Sequence, residues 1–361
     1  MIDNKHINLT GGVGNLRQSN IEIARILSMF FILVIHANMV CLEKPTYDDL
    51  TINSASVVVR YLLESMGIIS VDVFVLISGW FMIRPRVQNV TSFIYQVVFI
   101  WAIGYLLMIV LGYANLNFKG ILVCLAFTSW DWFIKAYLML FILAPILNTF
   151  IQNSNEKTQR YVLFFFFTFM CTYGFVGGAS RFFINGYDPL SFIGLYLLAQ
   201  YVHNTSKSEE APLFVKKLFM CNKYIDLSIV IICMILNTII GVESLRMQLP
   251  LYGLVYAYIN PLVIIGALYF LLFFSKLEIK TNKLINWFAA SSFSVYLVHS
   301  QIDIREIFTN HVQTLFYSHN GIKALLLIFA YLLVVYFFSV LFDQIRIASW
   351  RLISKKINSY G

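Results

Sequence analysis

The sequence IEIARILSMFFILVIHANMV, residues 21–40, is the first long apolar run of the chain and decides which kind of fold is possible. About 20 helical residues, at a rise of roughly 1.5 Å each, span the ~30 Å hydrocarbon layer of a bilayer. The run therefore predicts a transmembrane helix, although it contains Glu22, Arg25 and His36. Because charge inside a membrane is costly and usually marks function, we expect this helix to do more than anchor the chain.

The spacing of these three residues places them near one face of the helix. Glu22 and Arg25 are three residues apart and can form an ion pair. His36 follows Arg25 by eleven positions, about three turns, which separates the two by roughly 16 Å along the axis. The alternative is that Glu22 and Arg25 lie at the membrane interface and only snorkel. His36 fits that alternative less well because it lies well inside the run.

The composition identifies an integral membrane protein made mostly of helices. Of the 361 residues, 59% are hydrophobic and 12% are charged, whereas soluble domains carry about 25% charged residues. The net charge of +8 does not indicate nucleic-acid binding, because the basic residues are spread over short loops. Five scattered cysteines without CxxC spacing predict neither a disulfide framework nor a metal site.

The hydropathy pattern predicts an all-α, polytopic membrane domain with about ten transmembrane helices. The apolar runs cover residues 21–41, 57–82, 92–113, 131–151, 160–176, 187–203, 225–241, 250–274, 285–307 and 321–345. A further apolar segment, 119–128, is too short to cross and is predicted to be interfacial or re-entrant. We therefore expect a cytoplasmic N-terminal tail (1–20), a membrane domain (21–345) and a cytoplasmic C-terminal tail (346–361).

The distribution of basic residues predicts the orientation in the membrane. Most of the 26 Lys and Arg residues fall in alternate loops, whereas the first loop on the opposite side is acidic, with Glu43, Asp48 and Asp49. Because cytoplasmic loops are enriched in Lys and Arg, we expect both termini to be cytoplasmic. The expected location is the cell membrane, with multiple passes.

The second apolar run carries further polar residues that could take part in chemistry. Arg60 and Glu64 are spaced as a helical ion pair near its outer end, and could be only that. Asp72 lies near mid-membrane, where a lone carboxylate needs a partner or a proton. Ser78 precedes Gly79, and close helix packing is the favoured interpretation for such small residues.

Three other residues are candidates for substrate binding or support. Lys135 lies one turn inside the fourth run and requires a carboxylate or an anionic ligand. Arg181, in a Gly-rich loop, either binds the acceptor or is ordinary loop charge. His299 lies at a depth similar to that of His36, which suggests a shared polar cavity, but it could equally be a hydrogen-bonded core residue. Histidine is the side chain best suited to act as a base near neutral pH.

Several segments together resemble the acyltransferase family 3 membrane proteins. Arg25 and His36 match the family's Arg-x10-His motif within NIEIARILSMFFILVIHA. VDVFVLISGWFMI, WFIKAYLMLFILAPILN, GYDPLSFIGLYLLAQYV and SFSVYLVHSQ are similar to later family segments, and they occur in the expected order over roughly residues 18–345.

The resemblance implies transfer of an acyl group, usually acetyl, from cytoplasmic acyl-CoA to a carbohydrate hydroxyl. It implies Arg25 and His36 as the essential pair, with Asp72, Ser78, Gly79 and His299 in matching motifs. The expected partners are acetyl-CoA, a surface polysaccharide or its lipid-linked precursor, and membrane lipid, without metal or nucleic acid.

Individual roles follow from this hypothesis of an O-acetyltransferase. His36 would deprotonate the acceptor hydroxyl or itself accept the acyl group. Arg25 would hold the CoA phosphates or fix Glu22, and Asp72 or Glu64 would orient His36. The rival hypothesis is a transporter or exporter of a small anion or sugar, since intramembrane Arg, His and Asp suit that function on physical grounds as well.

Overall fold

The computed structural model of the chain describes residues 17–84, 86–125, 132–176, 183–206 and 212–359, with side chains to residue 354. Every regular element in these ranges is a helix, which confirms the predicted all-α class. In chain order the first helices are α1 Ser19–Ile35, continued by a π-helical segment His36–Cys41, α2 Tyr47–Ile52, α3 Ser54–Phe81, α4 Val87–Val110 and α5 Phe118–Cys124.

The middle of the chain continues the helical pattern. It contains α6 Trp132–Asn153, α7 Glu156–Phe169 with a π-helical continuation Met170–Val176, the 3-10 turn Ile184–Gly186, α8 Pro189–Thr205, α9 Leu213–Met220, α10 Lys223–Arg246, α11 Tyr252–Val255 and α12 Pro261–Ser275. The last helices are α13 Lys283–Ala290, α14 Ser292–Ser300, α15 Ile302–Tyr317 and α16 Gly321–Ser359.

Six of the described helices are long and apolar enough to cross a membrane. These are Ser19–Cys41, Ser54–Phe81, Val87–Val110, Trp132–Asn153, Lys223–Arg246 and Gly321–Ser354. The predicted count of about ten is not confirmed and stays a prediction. The seven-residue helix α5 overlaps the first part of the short segment 119–128, whose residues 126–128 lie outside the described residues. The last helix, α16, continues to Ser359, through most of the predicted C-terminal tail.

Two predicted spanning runs are not single helices. The run 250–274 contains α11 and α12, because Pro261 has no N–H and occupies the first turn of a new helix that the Asn260 side chain caps. The run 285–307 is divided among three helices. Gln301 has an extended backbone and its side chain accepts the N–H groups of Asp303 and Ile304, so α15 starts there.

The chain forms two compact units, and α1 contributes to both. The first unit contains residues 1–33, 86–131 and 279–361. In it α14 packs against α4 and α16: the Trp101 indole donates to the Leu297 carbonyl (2.8 Å), and Ser294 donates to the Ser339 carbonyl (3.0 Å). Asp343 is fully buried and accepts two hydrogen bonds from Arg346, at 2.8 and 2.7 Å.

The second unit contains residues 34–85 and 132–278, with α3 packed among α8, α10 and α12. Close helix contacts need small residues in this unit. A Cβ atom at Gly79 would collide with the Tyr196 carbonyl oxygen on α8, and one at Gly266 would press on Ile69. This agrees with the packing interpretation of the Ser78–Gly79 pair.

Candidate functional site

The first polar cluster lies at the start of α1 and belongs to the first unit. Arg25 donates through Nη1 to both carboxylate oxygens of Glu22, at 2.8 and 3.1 Å. Arg17 lies 3.7 Å from the same carboxylate, and burial lowers the pKa of Arg17 while Glu22 raises it. Two guanidinium groups therefore surround one carboxylate, and the cluster carries a surplus positive charge.

The start of α1 is tied to the beginning of α13. The Ser19 hydroxyl donates to Asn286 Oδ1 (3.0 Å) and accepts the N–H of Asn282 (2.8 Å). Arg17 donates to the Asn286 carbonyl at 3.3 Å. These bonds fix the end of the helix at which Glu22 is buried and Arg25 keeps 17% of its side chain exposed.

His36 lies where α1 changes from α-helical to π-helical hydrogen bonding. The π-helical segment covers His36–Cys41, and the His36 side chain is partly exposed. Such segments are uncommon and often occur at functional sites, because the extra residue per turn changes the direction of the side chains. Arg25 and His36 lie on one continuous helical stretch, Ser19–Cys41, as the sequence predicts.

A second polar cluster joins the π-helical segment to α3 within the second unit. The Asn38 side chain donates to the Arg60 carbonyl (2.8 Å), and Arg60 donates to Asn38 Oδ1 (3.1 Å) and to the Asn38 carbonyl (2.6 Å). Arg60 also donates to the carbonyls of Leu42 and Glu43. A buried guanidinium therefore satisfies backbone acceptors at the end of the first helix.

Glu64 lies one turn further along α3 and is 5% exposed. One carboxyl oxygen accepts the Tyr252 hydroxyl at 3.4 Å, and the Asn38 side chain also hydrogen-bonds to the carboxyl group. The other oxygen, Oε2, has no hydrogen-bond partner among the described residues. A buried acceptor with unused capacity is a feature that a ligand could satisfy.

The contacts of Arg60 also define the register of α1 against α3. The π-helical segment and α3 run in opposite directions. Asn38 contacts both Arg60 and Glu64, whereas the carbonyls of Leu42 and Glu43, later in the chain, contact only Arg60. His36 precedes Asn38 by two residues, about 3 Å, and Glu64 follows Arg60 by four, about 6 Å. Glu64 is therefore almost level with His36.

Asp72 lies far from that level. It follows Arg60 by twelve residues, about 18 Å of helix, which places it roughly 15 Å beyond His36. Asp72 is completely buried, and neither carboxyl oxygen has a hydrogen-bond partner among the described residues. The prediction that Asp72 or Glu64 orients His36 stays a prediction, and this register favours Glu64 over Asp72. The sequence could not fix the register, because the register depends on Asn38 and Arg60.

Comparison with known proteins identifies the family of this chain. A family model described as an acyltransferase domain matches residues 18–344. The chain belongs to acyltransferase family 3. No curated protein and no solved structure gives a significant match. Family membership supports a multi-pass membrane acyltransferase and disfavours the transporter hypothesis.

The remaining candidates of this family 3 chain have varied surroundings. Ser78 donates to the Phe74 carbonyl (2.9 Å) and shares a hydrogen bond with the Tyr137 hydroxyl (2.7 Å). Lys135 is exposed on the first turn of α6. Arg181 lies outside the described residues. Among the described residues no group of three or more metal-ligating side chains is found.

His299 is the last candidate and lies near the end of α14 in the first unit. It is 2% exposed, and its Nδ1 lies 2.5 Å from the Val295 carbonyl oxygen of the preceding turn. Its ring also packs against Tyr296 and Phe308. These contacts fit the core-histidine alternative, and the cavity shared with His36 stays a prediction.

Sequence reasoning missed two residues of the second cluster. Asn38 is a polar residue two positions after His36 in an otherwise apolar stretch, and this position was the available signal. Tyr252 is one of three tyrosines between Pro250 and Pro261, in a run that hydropathy merged into one predicted helix. Both residues contact Glu64.

Proposed function

We propose that this membrane acyltransferase moves an acetyl group from cytoplasmic acetyl-CoA to a hydroxyl of a surface polysaccharide or its lipid-linked precursor. The observation that carries the proposal is the arrangement of α1. A cluster with surplus positive charge lies at its start, and a histidine level with a buried carboxyl group lies eleven residues after Arg25.

The donor would bind at the start of α1. CoA is polyanionic, and Arg17 and Arg25 supply two guanidinium groups beside a single carboxylate. A guanidinium can bind phosphate through two parallel hydrogen bonds, which favours this end for the nucleotide. The extended pantetheine arm is long enough to cover the roughly 16 Å of helix rise between Arg25 and His36.

His36 would act as the general base. It takes the proton of the acceptor hydroxyl while that oxygen attacks the thioester carbonyl, and the leaving CoA thiolate is then protonated. Glu64, nearly level with His36, would hold the imidazole or the acceptor in position. A second route passes through an acyl-His36 intermediate and gives ping-pong kinetics. We favour direct transfer, because acyl-imidazoles are short-lived unless water is excluded.

The orientation follows from the charge pattern rather than from the folded contacts. The start of α1 would face the cytoplasm and the Asn38–Arg60 cluster the opposite side, with both termini cytoplasmic and the protein in the cell membrane. A reporter fused after Gly361 should therefore behave as cytoplasmic. An extracytoplasmic signal would contradict this orientation.

The activity is tested with purified protein in lipid nanodiscs supplied with acetyl-CoA or succinyl-CoA. We expect release of CoA from acetyl-CoA, and faster release when a hydroxyl acceptor is added. Arg246→Ala is the matched control for substitutions of Arg25. Like Arg25, Arg246 pairs with a glutamate three residues earlier (Glu243, 2.7 Å), but Arg246 is exposed. Absence of CoA release from either donor would contradict the proposed function.

A further inference from the structure

Five tyrosines and one tryptophan of the second unit form a shell of rings around the end of α3 near Glu64. This tyrosine shell consists of Tyr61, Trp132, Tyr187, Tyr252, Tyr256 and Tyr258. Tyr61, Tyr252 and Tyr256 form one group, with centroids 5.0–6.2 Å apart. Trp132, Tyr187 and Tyr258 form the other, with centroids 4.6–5.6 Å apart.

Each of the two groups has a member near Glu64. Tyr252 donates its hydroxyl to the Glu64 carboxyl group, and Tyr187 lies close enough to interact with Glu64 electrostatically. The loop that carries Tyr258 is fixed by its own N–H, which donates to the Asn185 carbonyl at 3.0 Å. The shell is built from α3, α6 and the segments before α8 and α12.

Part of this surface is open. Tyr187 is 41% exposed, and Trp132 and Tyr252 are partly exposed, whereas Tyr61 and Tyr256 are buried beneath them. Aromatic rings of this kind bind partners that offer apolar area on one side and hydrogen-bonding groups on the other. A sugar ring has both, because its C–H groups form a face and its hydroxyls project from the edge.

The carboxyl oxygen Oε2 of Glu64, beside the tyrosine shell, favours a ligand that donates a hydrogen bond. Glu64 Oε2 is buried and has no hydrogen-bond partner among the residues described, so a donor placed there would remove an unsatisfied group. A cation is less suitable, because Arg60 already interacts with Glu64 and the Lys44 ammonium lies 5.5 Å from the Tyr252 ring centroid. A neutral hydroxyl remains the group that fits best.

We propose that the tyrosine shell is the docking site for a neutral sugar ring of the acceptor, which stacks on Tyr187 and Trp132 and donates a hydroxyl to Glu64. The inference rests on the proposed function and names the part of the molecule that recognises its acceptor. Because Glu64 is nearly level with His36, a hydroxyl next to the bound one would lie near the general base.

Sugar binding can be measured without the donor. The probes are the methyl glycosides of N-acetylglucosamine, galactose and rhamnose, and the method is saturation-transfer-difference NMR on the full chain in nanodiscs. We expect saturation of ring C–H protons in at least one glycoside. Tyr187→Ala should weaken binding about tenfold through loss of the stacking face, and Tyr252→Phe, which keeps the ring, should weaken it less.

The matched control is Tyr173→Ala, because Tyr173 is 63% exposed and contacts Phe169 instead of the shell. It should change affinity less than about twofold, well below the effect of a stacking ring. The proposal is overturned if no glycoside binds the wild-type chain or if Tyr187→Ala behaves like Tyr173→Ala.

CoA release from acetyl-CoA, measured on the same samples, separates the two proposals. Release without glycoside binding would overturn the docking site and leave the proposed function standing. Glycoside binding that depends on Tyr187, without CoA release, would support the docking site and contradict the proposed function.

Discussion

Two arginine–glutamate pairs, Glu22–Arg25 on α1 and Arg60–Glu64 on α3, have the same chemistry and opposite outcomes. In the first pair, Arg25 donates to both oxygens of its glutamate. In the second pair, Arg60 donates to Asn38 and to backbone carbonyls, and Glu64 keeps one oxygen without a hydrogen bond from a described residue.

The difference comes from what surrounds each arginine. Near Arg60 the first helix ends in the π-helical segment His36–Cys41. The last carbonyls of a helix have no N–H partner within it, so they need another donor. Arg25 lies inside a regular helix, whose carbonyls already accept N–H groups four residues later. Glu22–Arg25 is thus a closed pair, in which the arginine binds both carboxylate oxygens. Arg60–Glu64 is an open pair, in which one carboxyl oxygen lacks a hydrogen bond from a described residue.

The largest expected effect concerns His36, the first residue of the π-helical segment that continues α1. His36→Ala should lower turnover by about 10²–10⁴, the usual contribution of a general base, while CoA affinity is retained. Turnover is followed by CoA release and affinity by equilibrium binding. His319→Ala is the control, since His319, like His36, is partly exposed. If CoA affinity and turnover fall in parallel, His36 is a binding residue and not a general base.

The next effect concerns the closed pair. Arg25→Ala should reduce CoA affinity and transfer by roughly a hundredfold, and Arg25→Lys should restore little, because an ammonium cannot replace a bidentate guanidinium. Arg246→Ala should leave both unchanged. Full activity of the lysine variant would show that the closed pair needs only a positive charge.

Two buried aspartates extend the contrast between closed and open carboxyl groups. Asp343→Asn should destabilise the chain by about 3–5 kcal/mol, because it leaves Arg346 buried without its partner.

Asp72→Asn should leave the melting temperature unchanged or higher and should lower turnover, since a costly unpaired group inside a membrane is usually retained for function. A lower melting temperature with normal turnover in Asp72→Asn would assign Asp72 a purely structural role.

The smallest expected effect concerns the open pair. Arg60→Ala should destabilise the chain by roughly 2 kcal/mol, because it leaves several carbonyls unsatisfied, while CoA affinity stays unchanged. Thermal unfolding in nanodiscs measures the first effect and equilibrium binding the second. Arg160→Ala is the matched control, since Arg160 pairs with Glu156 at the same four-residue spacing but is partly exposed. A loss of CoA affinity in Arg60→Ala would show that Arg60, as well as Arg25, contributes to CoA binding.

The sequence by itself determined the helical class, the family and the placement of Arg25 and His36 on one helix. A long apolar run must satisfy its backbone hydrogen bonds internally when it lies in a membrane, so helix formation and the rise between two residues follow from local sequence. The same local rules predicted the Glu22–Arg25 pair, whose partners are three residues apart.

Only the tertiary structure decided that Glu64 rather than Asp72 is level with His36, that Arg60 binds Asn38 and backbone carbonyls, and that the run 250–274 breaks into two helices beside the tyrosine shell. Each of these outcomes depends on contacts between segments far apart in sequence. Hydropathy reports that a residue is buried, but the partner that satisfies a buried polar group is set by helix register and packing.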